Sequence, residues 1–159
     1  MANRCNNKVT FKGNQASLNQ VSDLFRTMID NESKGKIGQL PDFIQSEYGY
    51  FSEIYKDETE ECSFHYDTRW SPNIEVLWTI ANHFDVEFVL SYEESGCMLL
   101  GKTFYENEIL KDYCLNQSDF QDCSYNEEEN NYQFEGNIYE YKDEIMKILL
   151  GRKIAFGQS

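Results

Sequence analysis

The chain of 159 residues is 40% hydrophobic and carries 28 acidic against 14 basic side chains, a net charge of −14. That length suffices for one real hydrophobic core and hardly for two, because domains commonly run to about 100–150 residues. No stretch approaches the roughly 20 apolar residues of a membrane span, and the opening MANRCNNKVTF lacks the apolar middle of a secretion signal, so a soluble cytoplasmic protein with no membrane partner is expected.

The charge is uneven. Residues 1–40 hold six basic and three acidic side chains, which leaves a net charge of −17 on residues 41–159. Such a field repels phosphate backbones and argues against direct nucleic-acid binding, while it attracts a basic protein surface. Five cysteines at scattered positions (Cys5, Cys62, Cys97, Cys114, Cys123), none in a C-x-x-C pair, read as free thiols.

In chain order, Arg4–Lys12 alternates Cys5, Asn7, Val9 and Phe11 against Asn6, Lys8, Thr10 and Lys12, the pattern of a strand with two unlike faces. Gly13-Asn14 ends it. Ser17 is placed to cap a helix whose Leu18, Val21, Leu24, Phe25, Met28 and Ile29 share one face, with its exit at Asp30-Asn31. Residues 32–47, with Gly35, Gly38 and Pro41, read as a loop containing a short helical turn near Asp42–Gln45. Tyr48–Tyr55 reads as a strand, and KDETEE over residues 56–61 as a solvated turn.

Residues 63–101 are the most legible segment. Phe64, Tyr66 and Thr68 alternate with His65, Asp67 and Arg69 up to Trp70. Ser71 stands where an N-cap belongs, Pro72 at the first helical position and Glu75 in the first turn, and Ile74, Leu77, Trp78, Ala81 and Phe84 recur as an apolar stripe. Val86–Tyr92 reads as a strand closed by a hairpin turn at Glu93–Gly96, and Cys97–Tyr105 as the strand after it, with Gly101 marking a bulge. From Glu106 the pattern weakens, and Ile109, Leu110, Tyr113 and Cys114 fit a short helix or an irregular edge. Phe120–Tyr125 and Tyr132–Ile138 flank the acidic tip Glu127–Asn131 of a further hairpin. Ile138, Tyr141, Ile145, Ile148 and Leu149 predict a last helix ended by Gly151 as its C′ residue, with a loose tail from Ile154.

The economical packing of these elements is α+β: a ferredoxin-like (split βαβ) antiparallel sheet with two helices on one face over residues 1–105, and an acidic hairpin-and-helix extension over 106–159 packed on the same domain. The residues MANRCNN, Val9-Thr10-Phe11 and Gly13, then Thr68-Arg69-Trp70-Ser71-Pro72 with its following helix, then Phe88–Glu93, Gly96 and Gly101 resemble the YubB-type ferredoxin-like family encoded by bacterial plasmids and phages. The likeness covers Met1 to Gly101. It implies a ferredoxin-like core, a mobile-element origin and a bacterial host cell, and brings no established biochemical function with it.

No catalytic motif stands out. His65, Asp67, Arg69 and Trp70 form a candidate pocket for a hydrolase or nucleotide-binding enzyme, but no spacing characteristic of a nucleophilic triad or a metal site supports them. An EF-hand starting at Asp122 fails, because Glu127 stands where glycine is needed and Gln133 where the bidentate glutamate belongs. A phosphate loop and a G-x-G-x-x-G are both missing, so no cofactor is expected. The aromatics are framed by acids rather than by Lys and Arg, which suits a protein interface better than base stacking. The leading expectation is a non-enzymatic acidic protein that binds a basic host protein, an effector of CRISPR or another defence system in its concrete form, through Asp57, Glu58, Glu60 and Glu61, Asp119 and Asp122, and Glu127, Glu128 and Glu129 with Tyr125 and Tyr132. The alternatives are the enzyme above and a structural accessory whose acidity only aids solubility.

Overall fold

A computed structural model describes residues 3–94, 96 and 99–158. The first strand, β1 (Arg4–Lys12), buries Cys5, Asn7, Val9 and Phe11, the side its alternation predicts. Helix α1 (Gln15–Ser33) starts earlier than Ser17, because the Asn14 side chain accepts a hydrogen bond from the Ser17 N–H at 2.8 Å and is itself the N-cap. It also runs past Asp30-Asn31, to Ser33. Val21, Phe25 and Met28 face inward. Strand β2 (Ser52–Lys56) is shorter than expected, since Phe51 forms only an isolated bridge to Gln39 and the register slips between Ser52 and Tyr55.

Strand β3 (Ser63–Arg69) follows, and the chain then turns through Trp70, whose φ of 69° is left-handed. That turn uses up Ser71 and Pro72, so α2 (Ile74–Phe84) has Asn73 as N-cap residue rather than Ser71. Its buried face is centred on Val76, Leu77, Ile80 and Ala81, with Ile74 and Phe84 partly buried beside it and Trp78 46% exposed. Strands β4 (Glu87–Glu94) and β5 (Leu99–Glu106) pair from Phe88 with Tyr105 through Glu94 with Leu99. Cys97, and Ser95 of the expected turn, lie outside the described residues. Gly101 is not a bulge: it pairs in register with Tyr92, and a Cβ there would collide with the Tyr92 ring. Asn107 and Glu108, at φ 53° and 61°, make a two-residue turn into β6 (Ile109–Cys114), which is a regular strand rather than a helix.

The six strands lie in the order β2-β3-β1-β4-β5-β6, and every pairing is antiparallel. The first four form the ferredoxin-like arrangement, each central strand inserted between two that a helix connects. One core gathers Phe25, Val21 and Met28 of α1 and Leu77 and Ile80 of α2 with Val9, Phe11, Phe64, Tyr66, Phe88 and Leu90, so both helices cover the same sheet face. Phe25 is its hub, stacked on Phe64 at 4.2 Å and edge-on to Phe51 at 5.5 Å.

A 3₁₀ turn (Gln117–Phe120) leads to a small meander of β7 (Cys123–Asn126), β8 (Asn131–Phe134) and β9 (Asn137–Tyr139). Helix α3 (Lys142–Gln158) closes the chain. It passes through Gly151 instead of stopping there, and the tail is helical to Gln158. Arg152 pairs with Glu135, and Lys153 donates to the Cys114 carbonyl at 2.8 Å and to Asp119 at 3.0 Å, which ties the last turns down. Helix α3 packs on β5 and β6 from the face opposite α1 and α2, its Gly157 lying against Tyr113. Leu115, Phe134, Ile145 and Met146 are buried outside the main core. No described helix is long and apolar enough to cross a membrane.

Candidate functional site

The sequence-predicted acids fall into two classes. At the β2–β3 turn, Asp57 accepts the Thr59 hydroxyl at 2.6 Å, the Thr59 N–H at 2.8 Å and a hydrogen bond from His65 Nε2 at 2.8 Å. Lys8 of β1 lies 3.5 Å from it and 2.8 Å from Glu60. The Thr59 and His65 hydrogen bonds hold the Asp57 carboxyl well below its ordinary range, and Lys8 lowers Glu60 in the same way. Asp119 is likewise occupied: it accepts the Asn116 N–H at 2.7 Å in a capping box and pairs with Lys153, both of which lower its pKa, the backbone bond most. These three carboxylates are answered within the chain and present little net charge to a partner. Glu58 and Glu61 are exposed at the same turn.

The second class sits on the meander. Residues 127–130 link β7 to β8 as a four-residue loop shaped by Asn126, whose side-chain oxygen accepts the N–H groups of Glu128 and Glu129 at 3.0 and 3.3 Å. Among the described residues no basic side chain pairs with Glu127, Glu128 or Glu129. Tyr125 and Tyr132 pair across the strands with rings 4.9 Å apart, and the Tyr125 hydroxyl donates to Asn130. Beside them Ile138 and Tyr141 are 68% and 62% exposed, and together the four line an open concavity with Glu129, Glu140 and Asp143. Lys142, at the same rim, lies over the Phe120 ring at 4.9 Å. Asp122 is apart from this group, in a smaller hollow with Ser124 and Gln133.

The His65, Asp67, Arg69 and Trp70 cluster is only partly assembled. His65 and Asp67 do point to one face of β3, but His65 pairs with Asp57 and stacks on Tyr55 at 4.8 Å, while Asp67 lies 3.5 Å from Arg4. Burial, then the nearby Glu53, raises the Asp67 carboxyl. Arg69 and Trp70 are exposed. Sequence reasoning missed Asp57 as the partner of His65, because their proximity depends on the slipped β2–β3 register. Among the described residues no three His, Cys, Asp or Glu side chains gather as metal ligands.

Residues 49–135, more than half of the chain, match a family model described as "Ferredoxin-like domain in Api92-like protein". The chain belongs to this family. The Api92-like match starts just before β2 and ends after β8, so it takes in both the β2–β3 turn and the acidic meander tip, and it overlaps the YubB-type likeness over residues 49–101. No curated protein and no solved structure matches the chain.

The Asp57 cluster has a consequence for stability. A carboxylate with a depressed folded-state pKa contributes stability that is full above its unfolded value, about 3.9, and is lost as pH falls below it. Asp57, Glu60 and Asp119 all act in that direction, whereas the raised Asp67 acts oppositely and is relieved by acidification. Asp57→Asn is therefore expected to lower the melting temperature at pH 7 and to flatten its fall between about pH 5 and pH 3. Parallel melting curves for variant and wild type across that range would refute this assignment.

Proposed function

We propose that this Api92-like chain is a non-enzymatic acidic binding protein of a phage or plasmid, which docks on the basic nucleic-acid groove of a host protein. A CRISPR effector or another defence nucleoprotein is the concrete form of that target. The observation that carries the reading is the meander tip. Three adjacent glutamates without basic partners among the described residues stand beside exposed tyrosines, on the part of the chain that holds a net charge of −17. Tyrosines supply rigid contact area with a polar end, and acids steer a basic surface toward them. The internal pairing of Asp57, Glu60 and Asp119 narrows the docking face from three acidic segments to Glu127–Glu129 with Tyr125, Tyr132 and Tyr141.

Binding of this kind depends strongly on salt, because exposed charges are screened beyond about 10 Å at 0.1 M ionic strength. Immobilised chain incubated with host lysate is expected to retain a nucleic-acid-handling protein at low salt and release it at high salt, with added DNA or RNA competing for the captured protein. Failure to retain any basic protein at either salt would reduce the charge to a solubility feature.

A further inference from the structure

The sheet face turned away from α1 and α2 carries a second concavity. A groove of about 450 Å³ runs between that face and α3, within the range of about 300–1,000 Å³ typical of small-molecule sites. Strand register fixes its floor. Lys8 of β1 stands opposite Ser91 of β4, and Ser91 opposite Lys102 of β5, so an exposed hydroxyl sits between two lysines on strands roughly 4.8 Å apart. Helix α3 supplies the wall through Lys147, Leu150, Gly151 and Ile154. Spaced by three and four residues, these form one stripe, cationic at its start and apolar along the next roughly 10 Å.

The cations left unpaired select the ligand. Lys8 is answered by Glu60 at 2.8 Å and by Asp57 at 3.5 Å, and His65 Nε2 is hydrogen-bonded to Asp57 at 2.8 Å. Lys102 and Lys147 have no carboxylate partner among the described residues, and Glu93, one row along the sheet beside Leu100, is the acid in the lining. Lys102 and Lys147 are thus the groove's two cations without a carboxylate partner, in a chain whose net charge is −14. We propose that this groove binds a medium-chain carboxylate. Its anionic head is taken by Lys102, Lys147 and the Ser91 hydroxyl, and its alkyl chain lies along Leu150, Gly151 and Ile154. The site is independent of the acidic docking face.

Gly151 provides a clean test. A Cβ there meets nothing within 4 Å, and any ordinary residue favours the helix over glycine, so Gly151→Leu is expected to melt no lower than wild type while filling the groove. Titration calorimetry with decanoate is expected to show one saturable site in the wild-type chain. Decanol and decyltrimethylammonium should bind at least about tenfold more weakly, and Gly151→Leu and Lys102→Gln/Lys147→Gln should each weaken decanoate to a similar extent. Equal binding of the quaternary ammonium analogue, unchanged affinity in Gly151→Leu, or no saturable decanoate binding would each overturn the proposal.

Discussion

Phe25→Ala is expected to lower the free energy of unfolding by about 3–5 kcal/mol, as deletion of a fully buried aromatic does, with a matching fall in the urea midpoint. Phe25 is the contact through which α1 grips the sheet. Its ring stacks on Phe64 of β3 at 4.2 Å, tilts against Phe11 of β1 at 5.7 Å and meets Phe51 edge-on at 5.5 Å. Alanine removes all three ring contacts at once, and the surrounding rings belong to different elements that cannot collapse together into the gap. Single domains are stable by only about 5–15 kcal/mol, so the loss takes a large share of the total. Phe25→Leu, which keeps most of the volume, is expected to cost much less. Equal losses in the two variants would show that ring packing is not what fixes α1.

Gly101→Ala carries the second large effect, about 2–3 kcal/mol of destabilisation from overpacking. A strand glycine replaced by alanine ordinarily stabilises, by about 0.5–1 kcal/mol, so the sign itself is diagnostic. The Tyr92 phenol crosses directly over Gly101, is buried, and donates its hydroxyl to Asp112 at 2.8 Å, where Thr103 donates as well. An added methyl displaces the ring and breaks that shared acceptor. Burial, reinforced by Asp112, also pushes the Tyr92 hydroxyl pKa up, so it stays a proton donor across the accessible pH range. In a Tyr92→Leu background the same Gly101→Ala change is expected to be neutral or stabilising. An unchanged cost there would place the strain elsewhere.

The strands of the core were legible because each alternates cleanly: β1 has the bounds its pattern predicts, and β3 and β4 lie within two residues of theirs. The ferredoxin-like class followed from their order with the two helices. Helix starts were less so, since capping depends on backbone geometry that local sequence only suggests. Asn14 took the role expected of Ser17, and the left-handed turn at Trp70 displaced Ser71. Gly151 did not end α3, because Arg152 and Lys153 are held by Glu135, Asp119 and the Cys114 carbonyl, long-range partners that periodicity cannot reveal. At the edge strand β6 the pattern leaves a short helix and an irregular edge both open for a related reason: its turn places Asn-Glu, not Asn-Gly, at two positive-φ positions.

The acidic segments were visible as composition, but not which of them are internally paired. Lys8 meets Asp57 and Glu60 only through the β1–β3 pairing, and Asp119 meets Lys153 across 34 residues. Pairing between distant strands, rather than any local motif, therefore decides which carboxylates remain available to a partner.

The most direct test of the acidic docking face is the dissociation constant for the captured basic partner at fixed low salt, measured for wild type, Glu127→Lys/Glu128→Lys/Glu129→Lys and Glu58→Lys/Glu61→Lys. The meander triple variant is expected to weaken binding about 100-fold or more, a loss of roughly 3 kcal/mol, and the β2–β3 turn variant only slightly. Full affinity in the triple variant, with its melting temperature unchanged, would contradict the assignment of the meander tip as the binding face.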